Sequence, residues 1–409
     1  MNTITKFAIS SGIIIAIILT SQVDNQGILL SSSNSSDNGI KTTIDNSLTK
    51  TLRIGYFPNV NHAQAIIGLK NGDFQRILNS NDSVSNSGQN KININEFVFS
   101  DGPSALEALF GGQIDVSYVG PNPAISGYVA SGGKDGLRII SGAASGGASF
   151  VVRNDAGIQS VKDLGGKKFA SPQLGNTQDI SLRKYIVNNG YKTVENGGNV
   201  TVVPTKPSDI FTLMLKKQID GAWVPEPWAT RLVNEANGKI FVDERDLWPP
   251  QGKFVTANII VRTDYLNQNP DVIKKLLEAH VNETLWINEN KEKAIKEFNV
   301  ELKKLTGKTI ANDILSNALT KLEFTYDPIK VSLFKDANDA YDLGLLAKGK
   351  SRPDLTNIYD LTVLNKVLEE KGLPIIPQSV VAGLVAKNNN VSNSTNAKNA
   401  GDALADIVS

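Results

Sequence analysis

Cysteine is missing altogether from this chain of 409 residues. Its absence excludes disulfides, a thiol nucleophile, thiolate metal sites and a lipid attached through an N-terminal cysteine. Histidine is almost missing too: only His62 and His280 occur, too few for a histidine-rich metal centre. An excess of one charge is also lacking, with 42 Lys and Arg against 41 Asp and Glu, so nothing points to nucleic acid or an anionic membrane surface. No GKS or GKT triplet follows the Gly175–Thr177 strand exit as a P-loop would require, the glycine spacing there fits no dinucleotide fingerprint, and no Gly-x-Ser-x-Gly elbow occurs. Carboxylates are scattered over helix faces, where a solvated role is the default. No catalytic residue, metal or cofactor is expected.

What is present is enough chain for two domains with sizeable cores. Residues 7–19 (FAISSGIIIAIIL) form an apolar run the length of a secretory core, shorter than the ~20 residues a bilayer span needs. Residues 1–22 are therefore expected to be a signal peptide or an N-terminal anchor. Residues 23–50 form a Ser/Asn-rich flexible linker, and 386–409 a disordered tail of similar composition. Sequons at Asn34, Asn199, Asn282, Asn390 and Asn393 fit an exterior location, although such triplets also arise by chance.

From residue 51 short β-rich runs alternate with helical ones, the grammar of βαβ units and mostly parallel sheets. The alternation restarts near residue 150, and each half contains one copy of a repeat: QIDVSYVGPNPA at 113–124 and QIDGAWVPEPWA at 218–229. After FVTANIIVR (254–262) the chain reads as nearly all helical. The expected fold class is α/β, with two hinged lobes, each a mostly parallel sheet flanked by helices, plus C-terminal helices. Lobe I takes residues 51–147 and 254–385, and lobe II takes 148–253, with a ligand cleft between them.

Ligands of parallel α/β sheets sit at the carboxyl ends of strands, so each strand exit is a candidate. GYFPNVNHAQ offers Asn59, Asn61 and His62, where Asn61 is equally a natural helix cap. FSDGPSAL offers Ser104, which ordinary capping would also explain. Pro121 and Asn122 stand where a helix start could hold an anion, or simply make a turn. SPQLGNTQDI supplies Gly175, Asn176, Thr177 and Gln178, more small polar groups than a cap requires. WVPEPWA places Trp223, Glu226 and Trp228 at one exit, an aromatic wall with a polar group, or core tryptophans.

The stretches LRIGYFPNVNHAQAIIGLKNGDF, ALFGGQIDVSYVGPNPA, SVKDLGGKKFASPQLGNTQDISLRKYI, QIDGAWVPEPWATRLV and FVTANIIVRTDYLNQNPDVIKKLL carry a resemblance. In this order, over roughly residues 51–300, they resemble the nitrate/sulfonate/taurine class of ABC-transporter substrate-binding proteins. The resemblance implies the two-lobed type II periplasmic-binding-protein fold, closing on a solute and presenting it to a permease. It also implies a cleft that includes His62, Asn122, Asn176, Thr177, Gln178, Glu226 and Trp228. The LGNTQD and DERDLWP segments look most like members labelled for aliphatic sulfonates, whereas PEPW does not separate ligands. The expectation is thus the exported, extracytoplasmic binding component of an ABC importer. It would be a monomer that takes a small anionic or zwitterionic solute, with permease and ATPase subunits as partners and no nucleic acid. An aliphatic sulfonate or taurine is the first expectation, and nitrate or bicarbonate the alternative. The chain departs from lipoprotein members in lacking a lipobox cysteine. A thiamine-pyrimidine-precursor binding protein or enzyme is the further alternative, although the enzymes of that synthesis that share the fold carry a cysteine-rich iron motif, which this chain lacks. A sensory or adhesive use of the fold is the third class.

Overall fold

The computed structural model describes residues 50–80, 91–248, 251–347 and 350–377. The expected leader (1–22), nearly all of the expected linker and the expected tail (386–409) lie outside the described residues. Among those described, no helix is long and apolar enough to cross a membrane.

Eleven strands make two sheets among the described residues. The first holds β1 (Lys50–Tyr56), β2 (Ile92–Val98), β3 (Val116–Val119), β4 (Leu137–Gly146), β10 (Val255–Arg262) and β11 (Leu322–Phe324), in the order β11-β4-β10-β3-β1-β2. The second holds β5 (Ala148–Arg153), β6 (Lys168–Ser171), β7 (Thr201–Pro204), β8 (Gly221–Pro225) and β9 (Gly238–Asp243), in the order β7-β6-β8-β5-β9. The α/β expectation holds, but the sheets are mixed. Parallel pairing is confined to β2-β1-β3 and β7-β6-β8, where helices make the crossovers. Strands β5 and β10, which enter straight from the other sheet, run antiparallel to both neighbours because no crossover helix turns them round. Strand β11, three residues long, is too short to show a period, and it interrupts the stretch after residue 262 that reads as nearly all helical.

Helices cover both sheets: α1 (Ala63–Lys70), α2 (Asp73–Leu78), α3 (Gly102–Phe110), α4 (Pro121–Ala130), α5 (Thr177–Asn188), α6 (Pro207–Leu215) and α7 (Trp228–Glu235). Then come α8 (Thr263–Gln268), the 20-residue α9 (Pro270–Glu289), α10 (Lys291–Thr306), α11 (Asn312–Leu319), α12 (Lys330–Asp342) and α13 (Thr362–Glu370). Strand β8 shows how both faces are filled. Trp223 joins Phe150 and Phe169 on one side, while Ala222 and Val224 pack with Ile210 and Met214 on the other. That is the two-residue period of a strand buried on both faces.

The repeat has a structural cause. In both copies the isoleucine is core and the aspartate ties its strand to a parallel neighbour. Asp115 donates its backbone N–H to Arg53 O (2.8 Å) and accepts the Arg53 N–H at Oδ2 (3.0 Å). Asp220 does the same with Lys168, at 2.7 and 2.8 Å. The repeated aromatic is core in both copies too: Tyr118 meets His280 Nδ1 (2.9 Å), and Trp223 donates to Glu244 (2.6 Å).

Only Gly147 separates β4 from β5, and Gly146 and Gly147 both have φ +75°, where a side chain would be strained. The return passage is tied beside it by Gly146 N–H to Phe254 O (3.1 Å).

Candidate functional site

The carboxyl ends of both parallel trios face one cavity of about 30 Å³. From the first sheet come Phe57, Asn59, Asn61 and His62 after β1, Ser100 after β2, Gly120 after β3, and Thr256 in β10. From the second come Pro172 after β6, Asn176, Thr177 and Gln178 at the start of α5, Pro207 after β7, and Pro225 closing β8. The lining contains amides, hydroxyls, an imidazole, a phenyl ring and three proline rings, and no charged side chain. A space of this size admits a group of a few heavy atoms, since one water needs about 10–15 Å³ on this measure.

Several lining groups have free hydrogen-bonding capacity. Asn61 donates from Nδ2 to Thr256 O (3.3 Å), while its buried Oδ1 has no partner. Thr177 Oγ1 is likewise buried and unpartnered. Thr177 and Gln178 open α5, where backbone N–H groups lack intrahelical acceptors and the helix dipole favours negative charge. His62 stacks on Phe57, with centroids 4.6 Å apart, and its Nδ1 accepts the Phe57 N–H (3.2 Å). Burial lowers its pKa to about 3, so the ring is neutral and its proton sits on Nε2 as a donor. Unmatched polar atoms inside a protein are costly unless something meets them. A small ligand with both acceptor and donor capacity would do so.

A family model described as the NMT1-like family matches residues 45–299, well over half of the chain. The chain belongs to the NMT1-like family. A Bacillus subtilis relative named "Putative aliphatic sulfonates-binding protein" is 25% identical over 281 residues, covering 66% of this chain and 77% of that protein. A Brucella abortus relative, named only for binding, is 28% identical over 180 residues, 44% of this chain. That match spans about half, 53%, of the relative's own length. Among solved structures, the periplasmic nitrate-binding protein NrtA from Synechocystis superposes with a TM-score of 0.61 at 16% identity, covering 80% of this chain and 90% of that one. At that identity the likeness shows the fold, which is the two-lobed periplasmic-binding-protein fold.

Within this family member the residues singled out from sequence divide. Asn59, Asn61, His62, Asn176, Thr177 and Gln178 line the cavity. Asn59 also accepts from Trp228 Nε1 (3.3 Å), but Trp228 is not itself in the lining. The others are not in the lining. Trp223 is enclosed among Phe150, Tyr185 and Glu244. Glu226 is spent internally: it accepts Thr230 N–H and Oγ1–H (both 3.0 Å) and pairs with Lys321 (3.2 Å). Ser104 is held by Asp101, which caps α3. Gly175 has φ +78° and gives its N–H to Asp179. Pro121 and Asn122 begin α4, but Asn122 turns to Asp336 O (3.3 Å) on α12. Prolines at 121 and 123 also remove two of that helix's free N–H groups, weakening it as an anion site.

Sequence reasoning passed over Phe57, Ser100, Thr256 and the three prolines. For Pro172, Pro207 and Pro225 a signal was available, since each follows or closes a strand of the second sheet.

Proposed function

We propose that this protein is the extracytoplasmic solute-binding component of an ABC importer and holds a small oxyanion between its lobes. The observation that carries the reading is the uncharged polar cavity at the convergent strand ends, where the buried Thr177 hydroxyl has no partner and the start of α5 offers free backbone N–H groups. Neutral donors and a helix start suffice for a monoanion, so no lysine or arginine is required. A short aliphatic sulfonate or taurine is the first reading, in line with what the Bacillus relative's name says of that protein. The small volume also favours nitrate or bicarbonate, the second reading. The lobes would be 51–147 with 254–385, and 148–253, hinged at Gly146–Gly147 and near Phe254. The ligand set would be Asn59, Asn61, His62, Asn176, Thr177 and Gln178. The protein would act as an exported monomer beside permease and ATPase subunits, with no enzymatic step.

The test is a thermal-shift screen of the full chain against taurine, methanesulfonate, ethanesulfonate, nitrate and bicarbonate. A true ligand stabilises the folded chain by an amount that grows with the logarithm of its concentration, about 2.7 kcal/mol at one hundred times Kd, and so raises the melting temperature. A shift with nitrate or bicarbonate alone would overturn the sulfonate reading, and no shift with any oxyanion would overturn the class.

A further inference from the structure

Gly120 ends the β3 exit and precedes α4 with φ −69° and ψ 165°, values open to any L-residue. Its missing side chain therefore answers to space and not to backbone conformation. A Cβ at Gly120 would lie 2.5 Å from Thr177 Oγ1, across the cleft in the other lobe. The next neighbours, Thr177 Cβ at 3.5 Å and Pro123 Cδ at 3.7 Å, are at ordinary contact distance. The obstruction is thus one hydroxyl, on a β-branched residue with few rotamers in which to yield. Both residues line the cavity, and that hydroxyl is buried without a partner. In the second copy of the repeat the same position holds Pro225, which lines the cavity from the other lobe.

We infer that the bare Cα of Gly120 sets how far the two lobes close, which makes Gly120 a positioning residue for ligand binding. With no Cβ there, the start of α5 comes against the end of β3, and Thr177 is carried to the same cavity as Asn61 and His62. An alanine at 120 leaves each lobe's own fold intact and props the cleft open by the width of a methyl group. The inference rests on the binding reading above for its affinity arm, but its geometric arm does not.

The experiment uses the full-length chain as wild type, Gly120→Ala, Thr177→Ala and the double variant. Small-angle scattering is recorded without solute and with methanesulfonate or nitrate, alongside calorimetric titration. Gly120→Ala should melt like wild type without solute, scatter as a more extended particle, and bind roughly 10–100-fold more weakly. In the Thr177→Ala background, where the obstructing oxygen is gone, adding Gly120→Ala should change neither scattering nor affinity more than about twofold. Gly120→Ala that closes and binds like wild type would overturn the inference, as would a Gly120→Ala defect undiminished in the double variant. If wild type binds neither methanesulfonate nor nitrate, those two solutes are lost to the binding reading above, and the solute-free scattering of the four proteins still decides the role of Gly120.

Discussion

Burial shifts the protonation of His62, His280, Glu244 and Glu283, and these groups contribute to the pH profile of stability. His62 and His280 are enclosed and kept neutral, with pKa values lowered to about 3 and about 4. His280 accepts the Tyr118 hydroxyl at Nδ1 and donates Nε2–H to Gly142 O (both 2.9 Å), a wholly structural role. Two acids move the other way. Desolvation raises Glu244 to about 7, against hydrogen bonds from Ser181 and Trp223, and raises Glu283 to about 8, with Asp73 and Glu297 adding repulsion. The signs oppose each other. The unfolded chain protonates its histidines below about 6.5 while the folded one resists, so stability is lost as pH falls from there through about 4 and 3. The folded chain keeps protons on Glu244 and Glu283 that the unfolded one has released above about 4.5, so their contribution is lost as pH rises through about 7 and 8. Above pH 6.5 only the acids act, each costing up to about 1.4 kcal/mol per pH unit. Thermal melts should therefore show stability falling from pH 6.5 to 8. Glu283→Gln should melt above wild type at pH 8.5, with the gap narrowing towards pH 4.5. A gap independent of pH would remove Glu283 from this account.

At the scale of elements, the QID repeat is a strand tie written twice but not with equal weight. Asp115 is fully enclosed and holds Arg53 through Nε (2.9 Å) and Nη2 (2.5 Å), with Arg262 at 3.5 Å. Asp220 is partly exposed and meets Arg153 only at 3.3 Å. Urea denaturation should give a loss of about 3 kcal/mol for Asp115→Ala, as for a broken buried pair, and about 1–2 kcal/mol for Asp220→Ala. Equal losses would mean that burial does not separate the two copies. The same repeat shows what could be read without coordinates. Strand and helix order, and the polar cluster at 176–178, were legible because period and capping chemistry are local. The fate of the PEPW segment was not. Trp223 alternates onto the sheet face that meets α5, and Glu226 is consumed by Thr230 and by Lys321, nearly a hundred residues away. Asn122 is likewise turned aside by α12, which the chain reaches only after residue 330. Side chains at a strand exit have several directions open to them, and distant elements choose among these.

For the molecule as a whole, the cleft floor and the passage between the sheets are one structure. Thr256 lines the cavity and gives its hydroxyl to Gly146 O (2.8 Å), and Asn61 holds Thr256 O (3.3 Å). Glu226 N–H is fixed to Gly147 O (2.8 Å) while its carboxylate meets Lys321 from the first sheet's side. The charged groups nearest the passage are thus paired with each other, and the cavity they surround is left to neutral groups. A molecule built this way should select a small oxyanion by hydrogen bonds and shape, not by countercharge. The most direct test is calorimetric titration of the full chain with the solute chosen by the melting screen, comparing wild type, Asn61→Ala and Thr177→Ala. The account predicts one binding site, weakened roughly 5–30-fold by either substitution, with the solute-free melting temperature nearly unchanged for Thr177→Ala and lowered for Asn61→Ala, which also gives up its bond to Thr256 O. Binding that survives both substitutions at full strength, or no heat from any oxyanion, would contradict it.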